Sequence, residues 1–452
     1  MQRRYRDQQQ LDVINISEQG LARPQRIKLV DLELSAPFRP IEDLEGYDAI
    51  QALVRLRTIP VGYVSLPSVH GRCPPELQVR AVRTQLGGTI AVDEHLSLVA
   101  GFGASSESYN QTEHDALWDG VTEWPTITVV VCTRDRSDDL ERCLDAVVGI
   151  EYPALDLLVI DNAPTSNATA RLVASRYSGI RYVCEPRPGL SWARNRGAIE
   201  ARGEIVAYTE DDALPDEGWV RALAAAFMQS EDVSAVTGLV VPLELETESQ
   251  IFLERYSGFG FGFARTRYPA HHRNSEEGSF YPGMMTECGT GANMAFRKST
   301  LDSVGLFDPA LGAGTVTQGG EDLEMFFRVM KEGHAILYEP SAIVRHRHRR
   351  DYRQLRMQIE GWGTGFTACL MRSYVFYPDE RMRLVAFGLH SMVQLLIRWS
   401  TSFLRDPGFP RALLLVEIRG ALVGVSRYLQ ARRNSEHVER SFGPIMDDDG
   451  PQ

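Results

Sequence analysis

The stretch IVAYTEDDALPDEGW, residues 205–219, joins a short apolar segment to three consecutive acids. Ile205–Tyr208 is typical of a buried β-strand, and Glu210, Asp211 and Asp212 follow almost at once. Three neighbouring carboxylates repel one another unless a positive charge compensates them. Mg²⁺ and Mn²⁺ prefer oxygen ligands, so the acids indicate a divalent metal site. The alternative is a solvated acidic loop that caps the following helix.

Length and composition indicate a globular protein of about two to four domains. The chain has 452 residues, of which 43% are hydrophobic and 24% charged, and its net charge is −12. This negative charge argues against electrostatic coating of nucleic acid, so no nucleic-acid partner is expected. The six cysteines form no CxxC pair, and the N-terminus lacks the apolar core of a signal peptide. We therefore expect a cytoplasmic protein with reduced thiols.

The hydrophobic pattern divides the chain into five parts. Residues 1–35 are expected to form a flexible lead, and residues 36–120 a small β-containing N-terminal domain of unknown role. Residues 121–350 are expected to form the main domain. Residues 351–435 show helical periodicity, and residues 436–452 are expected to be a disordered acidic tail.

Strand-like and helix-like segments alternate in the main domain. This alternation predicts a parallel sheet with right-handed crossovers. Ligands of such sheets bind outside the carboxyl ends of the strands, which is where the three acids lie. The predicted buried strands are TITVVVCT (126–133), LDLLVIDNAPT (155–165), IRYVCE (180–185) and EIVAYTEDD (204–212).

A second acidic pair occurs in GGEDLEMFFRVMKEG, residues 319–333. Its apolar spacing predicts a helix that begins after the two glycines. Glu321 and Asp322 therefore lie in the loop or first turn, where the helix dipole favours an ionised carboxylate. The alternative is that they only cap the helix. His346 follows another strand-like run, AILYEPSAIV, and a histidine beside arginines is otherwise a surface residue.

The order of these motifs resembles that of the family 2 glycosyltransferases, which have the GT-A fold. The resemblance implies an α/β fold with a GT-A type, Rossmann-like, mostly parallel sheet. A small N-terminal β-containing domain and a C-terminal helical region complete the expected fold. The EDD motif matches the family's DxD-like motif, with Glu210 at its first position. The matching elements cover about residues 125–350 and are VVVCTRDR, VIDNAPT, ARNRGAIEARGEIVAYTEDDALP, GTGANMAFRKSTLDSVGLFD and GGEDLEMFFR.

The resemblance also implies a metal site for Mn²⁺ or Mg²⁺. Asp212 would bind the metal, and Asp211 would contact the ribose or a metal-bound water. His346 matches a histidine that completes the metal shell in some members of the family. His348, two residues later, could serve instead.

The nucleotide-sugar donor is expected to lie against residues from three strand ends and one helix. By the resemblance, Thr133 and Arg134 would line the nucleotide pocket, and Asp161 would hydrogen-bond the base. Arg194 and Asn195 would lie near the base or the phosphates. These assignments predict one continuous donor site along the edge of the sheet.

The catalytic and acceptor residues are expected downstream. By the resemblance, Asp322 would be the catalytic base, and Glu321 beside it is the alternative base. The GTGAN segment, with Gly291 and Asn293, would form a wall of the acceptor pocket. Base and metal must lie on opposite sides of the transferred sugar, and two acidic clusters far apart in sequence suit that requirement.

The expected function is inverting transfer of a sugar from a nucleotide-diphosphate sugar to a hydroxyl acceptor. A UDP-sugar is the expected donor, and the acceptor is a saccharide, a lipid-linked or another hydroxyl compound. Synthesis of a surface polysaccharide or glycoconjugate is the expected role. The rival functions are another metal-dependent nucleotidyltransferase or phosphate hydrolase, and a non-catalytic sugar-binding protein.

The C-terminal region differs from the rest of the chain in charge. Residues 380–433 contain nine arginines and three acids, a surplus of +6 against −12 for the whole chain. Apolar and basic residues interleave there, which favours peripheral contact with anionic lipid at the inner face of a membrane. The alternative is an ordinary helical subdomain packed on the main domain.

Overall fold

The structure is a computed structural model that describes residues 26–88, 123–269, 281–405 and 409–443. It divides into two units. The smaller unit takes its described residues from 26–124, 242–264 and 347–351, and the larger unit takes the remainder. The predicted contiguous ranges 36–120 and 121–350 therefore differ from the observed division, because two segments of the main range belong with the N-terminal part.

Twelve strands and twelve helices are described. The strands are β1 (Ile27–Glu33), β2 (Ala49–Leu56), β3 (Ile59–Leu66), β4 (Ile127–Thr133), β5 (Leu155–Asn162), β6 (Arg181–Glu185), β7 (Ile205–Glu210), β8 (Ala213–Pro215), β9 (Val233–Pro242), β10 (Thr266–Tyr268), β11 (Asn293–Arg297) and β12 (Ala335–His346). The helices are α1 (Pro75–Leu86), α2 (Ser137–Val148), α3 (Ala168–Arg176), α4 (Leu190–Glu200), α5 (Trp219–Met228), α6 (Glu248–Tyr256), α7 (Tyr281–Met284), α8 (Lys298–Val304), α9 (Glu321–Lys331), α10 (Tyr352–Phe376), α11 (Arg381–Arg405) and α12 (Arg411–Phe442).

The smaller unit contains a three-stranded sheet of order β1-β2-β3. β1 runs parallel to β2, and β2 pairs antiparallel with β3. Arg57 and Thr58, with φ of 50° and 69°, form the turn between β2 and β3. The expectation of a flexible lead over residues 1–35 is wrong for β1, which is paired along its whole length. Residues 89–120 of the expected N-terminal domain lie outside the described residues.

The larger unit contains a nine-stranded sheet of order β10-β12-β9-β11-β7-β4-β5-β6, with β8 paired to β12. The consecutive strands β7, β4, β5 and β6 are parallel, as the alternating pattern predicts. β11 runs antiparallel to both β7 and β9. The predicted α/β fold class is confirmed by a sheet with four consecutive parallel strands flanked by helices, a small N-terminal sheet and C-terminal helices.

The core of the larger unit follows the sequence periodicities. All seven residues of β4 are buried, as expected for a β-branched strand covered on both faces. Helix α2 buries only the apolar face that its 3.6-residue period predicts. Because both faces of the sheet are covered at β4, a ligand can reach the sheet there at the strand ends. The buried residues of α2 are Leu140, Cys143, Leu144 and Val147.

The C-terminal region consists of three long helices. α10 and α12 pack closely through glycines: a Cβ at Gly363 would lie 2.2 Å from the Glu417 carbonyl oxygen, and one at Gly420 would lie 2.1 Å from that of Glu360. α12 continues to Phe442, so the expected tail boundary at residue 436 is wrong. Within the described residues, no helix is both long enough and apolar enough to cross a membrane.

Candidate active site

A group of two carboxylates and an imidazole lies at the carboxyl end of β7. Glu210 ends β7, Asp212 follows it, and antiparallel pairing of β8 with β12 sets His346 opposite Ala213. This register places the His346 Nε2 atom 3.4 Å from Asp212 Oδ1 and 3.7 Å from Glu210 Oε2. One ligand atom from each of the three side chains lies within 4.8 Å of the others.

The imidazole and the two carboxylates of this group shift one another's pKa values. Burial alone would lower the pKa of His346, but the charge of Asp212 and hydrogen bonds to both acids raise it to about 9. Burial would raise the pKa of Glu210, yet the hydrogen bond with His346 leaves it below its ordinary value. Two carboxylate oxygens and an imidazole nitrogen form a donor set that Mn²⁺ accepts. The three residues therefore fit a divalent metal.

His348 has a different environment from His346. Its Nε2 atom lies 2.6 Å from Glu254 Oε1, and both residues belong to the smaller unit. The two histidines that the sequence left as alternatives are thus distinguished by their carboxylate partners. Among the described residues, His346 is the histidine grouped with Asp212.

Arg136 links the two aspartates of the EDD motif. Its Nη1 lies 2.6 Å from Asp211 Oδ1, and its Nη2 lies 2.9 Å from Asp212 Oδ2. Thr133, predicted to line the nucleotide pocket, is buried and donates its hydroxyl to Asp211 Oδ2 at 2.8 Å. Burial raises the pKa of Asp211 to about 7, although the charge of Arg136 opposes the shift. The guanidinium therefore neutralises part of the repulsion among the three acids.

Arg194 connects the metal-fitting group to the second acidic pair. This side chain is 2% exposed, and its Nη1 lies 2.7 Å from Glu321 Oε1. Its Nη2 lies 3.5 Å from Glu210 Oε1 and donates to the Gly291 carbonyl oxygen at 3.1 Å. A Cβ at Gly291 would lie 2.5 Å from Arg194 Nη2, so a larger residue there would displace the guanidinium. Arg194 is therefore a buried bridge rather than a freely accessible phosphate ligand.

The two acids of the GGED motif have unlike surroundings. Burial raises the pKa of Glu321 to about 7 against the opposing charge of Arg194. Asp322 is only partly buried, and its two carboxylate oxygens accept the backbone N–H groups of Gly291 at 2.9 Å and Leu323 at 2.8 Å. The two backbone donors orient the Asp322 carboxylate at the start of α9. Asp322 is thus the better placed of the two to meet a ligand.

A left-handed glycine sets the start of α9. Gly320 has φ of 89°, and a Cβ there would lie 2.2 Å from the Gly365 carbonyl oxygen. Only glycine allows both the backbone conformation and this contact with α10. The GG pair predicted to begin the helix therefore also fixes the helix against the C-terminal region, and with it the position of Asp322.

The two asparagines that were expected at the ligand-binding site form hydrogen bonds with other segments of the protein interior. Asn195 donates to the Phe307 carbonyl oxygen at 2.9 Å and accepts the Phe307 N–H at 2.8 Å. Asn293 is fully buried, accepts the Trp219 indole N–H at 2.8 Å and donates to the carbonyl oxygen of Ala342 at 2.8 Å. Both amides are thus bonded within the protein, and the assignments of Asn195 to the donor and of Asn293 to the acceptor side stay predictions.

The remaining donor-site residues differ in accessibility. Arg134 is exposed in the loop after β4. Asp161 is the penultimate residue of β5, is buried, and accepts a hydrogen bond from the Tyr182 hydroxyl at Oδ2 over 2.9 Å. Burial raises the pKa of Asp161, and the hydrogen bond from Tyr182 opposes the shift. Both lie in segments that end at the same edge of the sheet as Asp211.

Sequence reasoning gave Glu210 no role as an individual metal ligand and missed Arg136 as a member of the site. Glu210 was visible as the first acid of the EDD motif, and its alternation with Asp212 along an extended chain is the signal that both could face one ion. Arg136 is the second arginine of CTRDR, directly before an acid-rich helix start. No local pattern shows that its side chain reaches the end of a different strand.

A family model described as "Glycosyltransferase like family 2" matches residues 125–365, over half of the chain. The chain is 24% identical over 280 residues to the pre-mycofactocin glycosyltransferase of Mycobacterium tuberculosis, covering 61% of this chain and 53% of that protein. It is 22% identical over 233 residues to the glucosyl-dolichyl phosphate glucuronosyltransferase of Haloferax volcanii, covering 49% and 69%. The chain thus spans about half the length of the first relatives it matches.

One solved structure among the matches is a mannosyltransferase from Pyrobaculum calidifontis in complex with GDP-Man and Mn²⁺. It superimposes with a TM-score of 0.42 at 18% identity, covering 72% of this chain and 89% of that one. GalNAc-T7 with UDP, GalNAc and Mn²⁺ superimposes with a TM-score of 0.39 at 17% identity, covering 55% and 51%.

Proposed function

The chain belongs to the glycosyltransferase-like family 2, and from that premise we propose that it transfers a sugar from a nucleotide-diphosphate sugar to an acceptor hydroxyl, with inversion at the anomeric carbon. One observation carries the proposal: Arg194 spans from Glu210, in the metal-fitting group, to Glu321, beside Asp322. The metal-fitting group and the candidate base are therefore connected through one side chain, which supports a displacement at a sugar carbon with metal and base on opposite sides.

Glu210, Asp212 and His346 would hold the metal, and we propose Mn²⁺ or Mg²⁺. When bound, the ion supplies positive charge that stabilises the departing diphosphate. Asp211 is held by Thr133 and Arg136, and we assign it to the ribose side of the donor. Asp161, near the end of β5, is the proposed hydrogen-bonding partner of the donor's nucleobase. A UDP-sugar is the proposed donor.

Asp322 is the proposed general base. It takes the proton of the acceptor hydroxyl while that oxygen bonds to the anomeric carbon, and the bond from this carbon to the diphosphate oxygen breaks with its electron pair leaving on the diphosphate. A single displacement of this kind inverts the configuration. Arg194 and Gly291 are positioning residues, because the Gly291 peptide accepts from Arg194 and donates to Asp322.

The acceptor is proposed to be a saccharide or a lipid-linked hydroxyl compound in surface polysaccharide or glycoconjugate synthesis. The Haloferax volcanii relative is named for a dolichyl phosphate-linked sugar, which supports a lipid-linked acceptor. Partly buried Asp322 and the Gly291 backbone define the proposed acceptor side.

The test begins with a panel of nucleotide sugars, scored by thermal shift with and without Mn²⁺ and then by transfer to candidate acceptors. Asp322→Asn should retain Mn²⁺-dependent donor binding and lose transfer by about 100-fold or more, the usual scale for a general base. Asp302→Asn is the matched control, because Asp302 is an exposed acid on α8. Near-normal transfer by Asp322→Asn would refute the base assignment, and nucleotide release that needs no acceptor would favour a hydrolase.

A further inference from the structure

Helix α11 exposes an apolar face. Large apolar side chains recur there at intervals of three and four residues, so they lie on one side of the helix. Met382 is 81% exposed and Leu389 is 65% exposed. At 1.5 Å per residue the face extends for about 22 Å. We call it the apolar stripe, and its members are Met382, Val385, Leu389, Val393, Leu396 and Ile397.

The opposite face of α11 is anchored in the larger unit. Leu384 and Phe387 are buried in the hydrophobic core that also contains Cys369 and Leu370 of α10. The Phe387 ring meets that of Phe366 edge to face, with 5.7 Å between centroids. The apolar stripe is therefore held outward by a fixed helix, because rotation about the helix axis would remove Leu384 and Phe387 from the core.

The charge on α11 is of one sign. From Arg381 to Arg405 the sequence contains four arginines and no acid. Arg381 and Arg383 are exposed and stand on either side of Met382, so they flank the apolar stripe at its N-terminal end. Basic side chains at the edge of an apolar helical face can place their stems along hydrocarbon and their charges at phosphate depth.

The adjoining helix α12 also exposes apolar residues, although it carries glutamates as well as arginines. It exposes Leu415, Leu422, Val425 and Leu429, which also recur at helical spacing. Arg419 lies between Leu415 and Leu422 in this series, and its side chain is 74% exposed. Two helices of one unit thus present apolar residues accompanied by arginines, which a solvent-facing bundle would not require.

We propose that the apolar stripe of α11 docks on an anionic lipid surface, with α11 lying in the headgroup layer. The positive charge of the helix complements phosphate headgroups, while an exposed apolar face alone would suit any partner. A lipid surface also matches the arrangement of an apolar centre between basic edges. The inference goes beyond the proposed transfer reaction and does not depend on it.

The experiment measures co-sedimentation of the full chain with two kinds of vesicle. One is phosphatidylcholine alone, and the other is phosphatidylcholine with about 30% phosphatidylglycerol, chosen to give a negative surface potential. Binding should require phosphatidylglycerol and should weaken at least about tenfold between roughly 0.05 M and 0.5 M salt, because the attraction to headgroups is screened.

Two variants separate the apolar and the charged contributions. Leu389→Glu/Val393→Glu should weaken binding to the anionic vesicles by at least about tenfold, since two exposed apolar side chains that would enter the lipid become charged. Val148→Glu, a matched change at an exposed position on α2, should have no effect. Arg383→Glu should weaken binding by more than about fivefold and reduce its salt dependence.

Three outcomes would overturn the proposal. They are absence of binding to the anionic vesicles, equal binding to both vesicle types, and unchanged binding of the Leu389→Glu/Val393→Glu variant. Light scattering on the same proteins tests whether the apolar stripe binds a second copy of the chain instead. If the wild type is a dimer, the variant is a monomer and neither binds vesicles, the stripe is a self-association surface. Measured transfer activity enters none of these readouts, so failure here leaves the proposed reaction untouched.

Discussion

Replacing Arg194 by methionine removes the cation of a buried network and keeps a side chain of similar length. The guanidinium lies 2.7 Å from Glu321 and 3.5 Å from Glu210, and its Cζ lies 5.6 Å from the centroid of the Phe307 ring. Breaking a buried ion pair by removing one partner costs about 3–5 kcal/mol, because the other charge stays buried without compensation. We expect a loss of this size for Arg194→Met at pH 8.

The loss should depend on pH in a defined direction. A carboxyl group whose pKa is raised by folding costs stability as the pH rises from its unfolded pKa, about 4.3 for glutamate, to its folded pKa. For the wild type that cost stops growing above the folded pKa of Glu321, about 7. Without Arg194 the pKa rises further, so the variant keeps losing about 1.4 kcal/mol per pH unit above pH 7.

Thermal unfolding at pH 6, 7 and 8 measures this difference. At about 2–4 °C per kcal/mol, the melting temperature of Arg194→Met should fall by roughly 6 °C or more at pH 8 and by less at pH 6. Arg194→Met/Glu321→Gln should recover much of the pH 8 loss, and Arg171→Met, at an exposed arginine, should change little. A loss that is equal at all three pH values, or a double variant no more stable than the single one, would refute the buried-pair reasoning.

Three further outcomes follow from the site and the helical region. In the absence of the sugar nucleotide, Arg136→Ala should bind Mn²⁺ about tenfold more tightly, because the Arg136 guanidinium competes with a cation for two aspartates. A spin-resonance titration measures this affinity, and an unchanged value would contradict the prediction. Since the pKa of His346 is about 9, Mn²⁺ binding at pH 8 should release about one proton in calorimetry, and His346→Gln should release none. Gly420→Ala should lower the unfolding free energy by about 1–3 kcal/mol, because its Cβ would meet the Glu360 carbonyl oxygen, while Gly388→Ala, near only a leucine side-chain end, should stay within about 1 kcal/mol.

Much of the fold could be predicted because its signals are local. The β-branched run that ends at Thr133 and the spacing of buried residues in α2 each describe one element, and burial followed the predicted period. The acids after β7 were expected at a strand end, where the structure has them. Helix ends were less predictable, since α12 extends to Phe442 through a polar segment with no apolar period.

Strand ends, helix starts and the order of motifs limit, already in the amino-acid sequence, which residues could meet at the site. Which of them do meet depends on the folded chain: the β8–β12 register sets His346 beside Asp212, while His348 pairs with Glu254. The fold also places the Asn293 amide in hydrogen bonds inside the protein, and it places Arg194 between two glutamates. The physical reason is that periodicity sets the face on which a side chain lies, whereas its partner depends on strand pairing and packing between segments far apart in the chain.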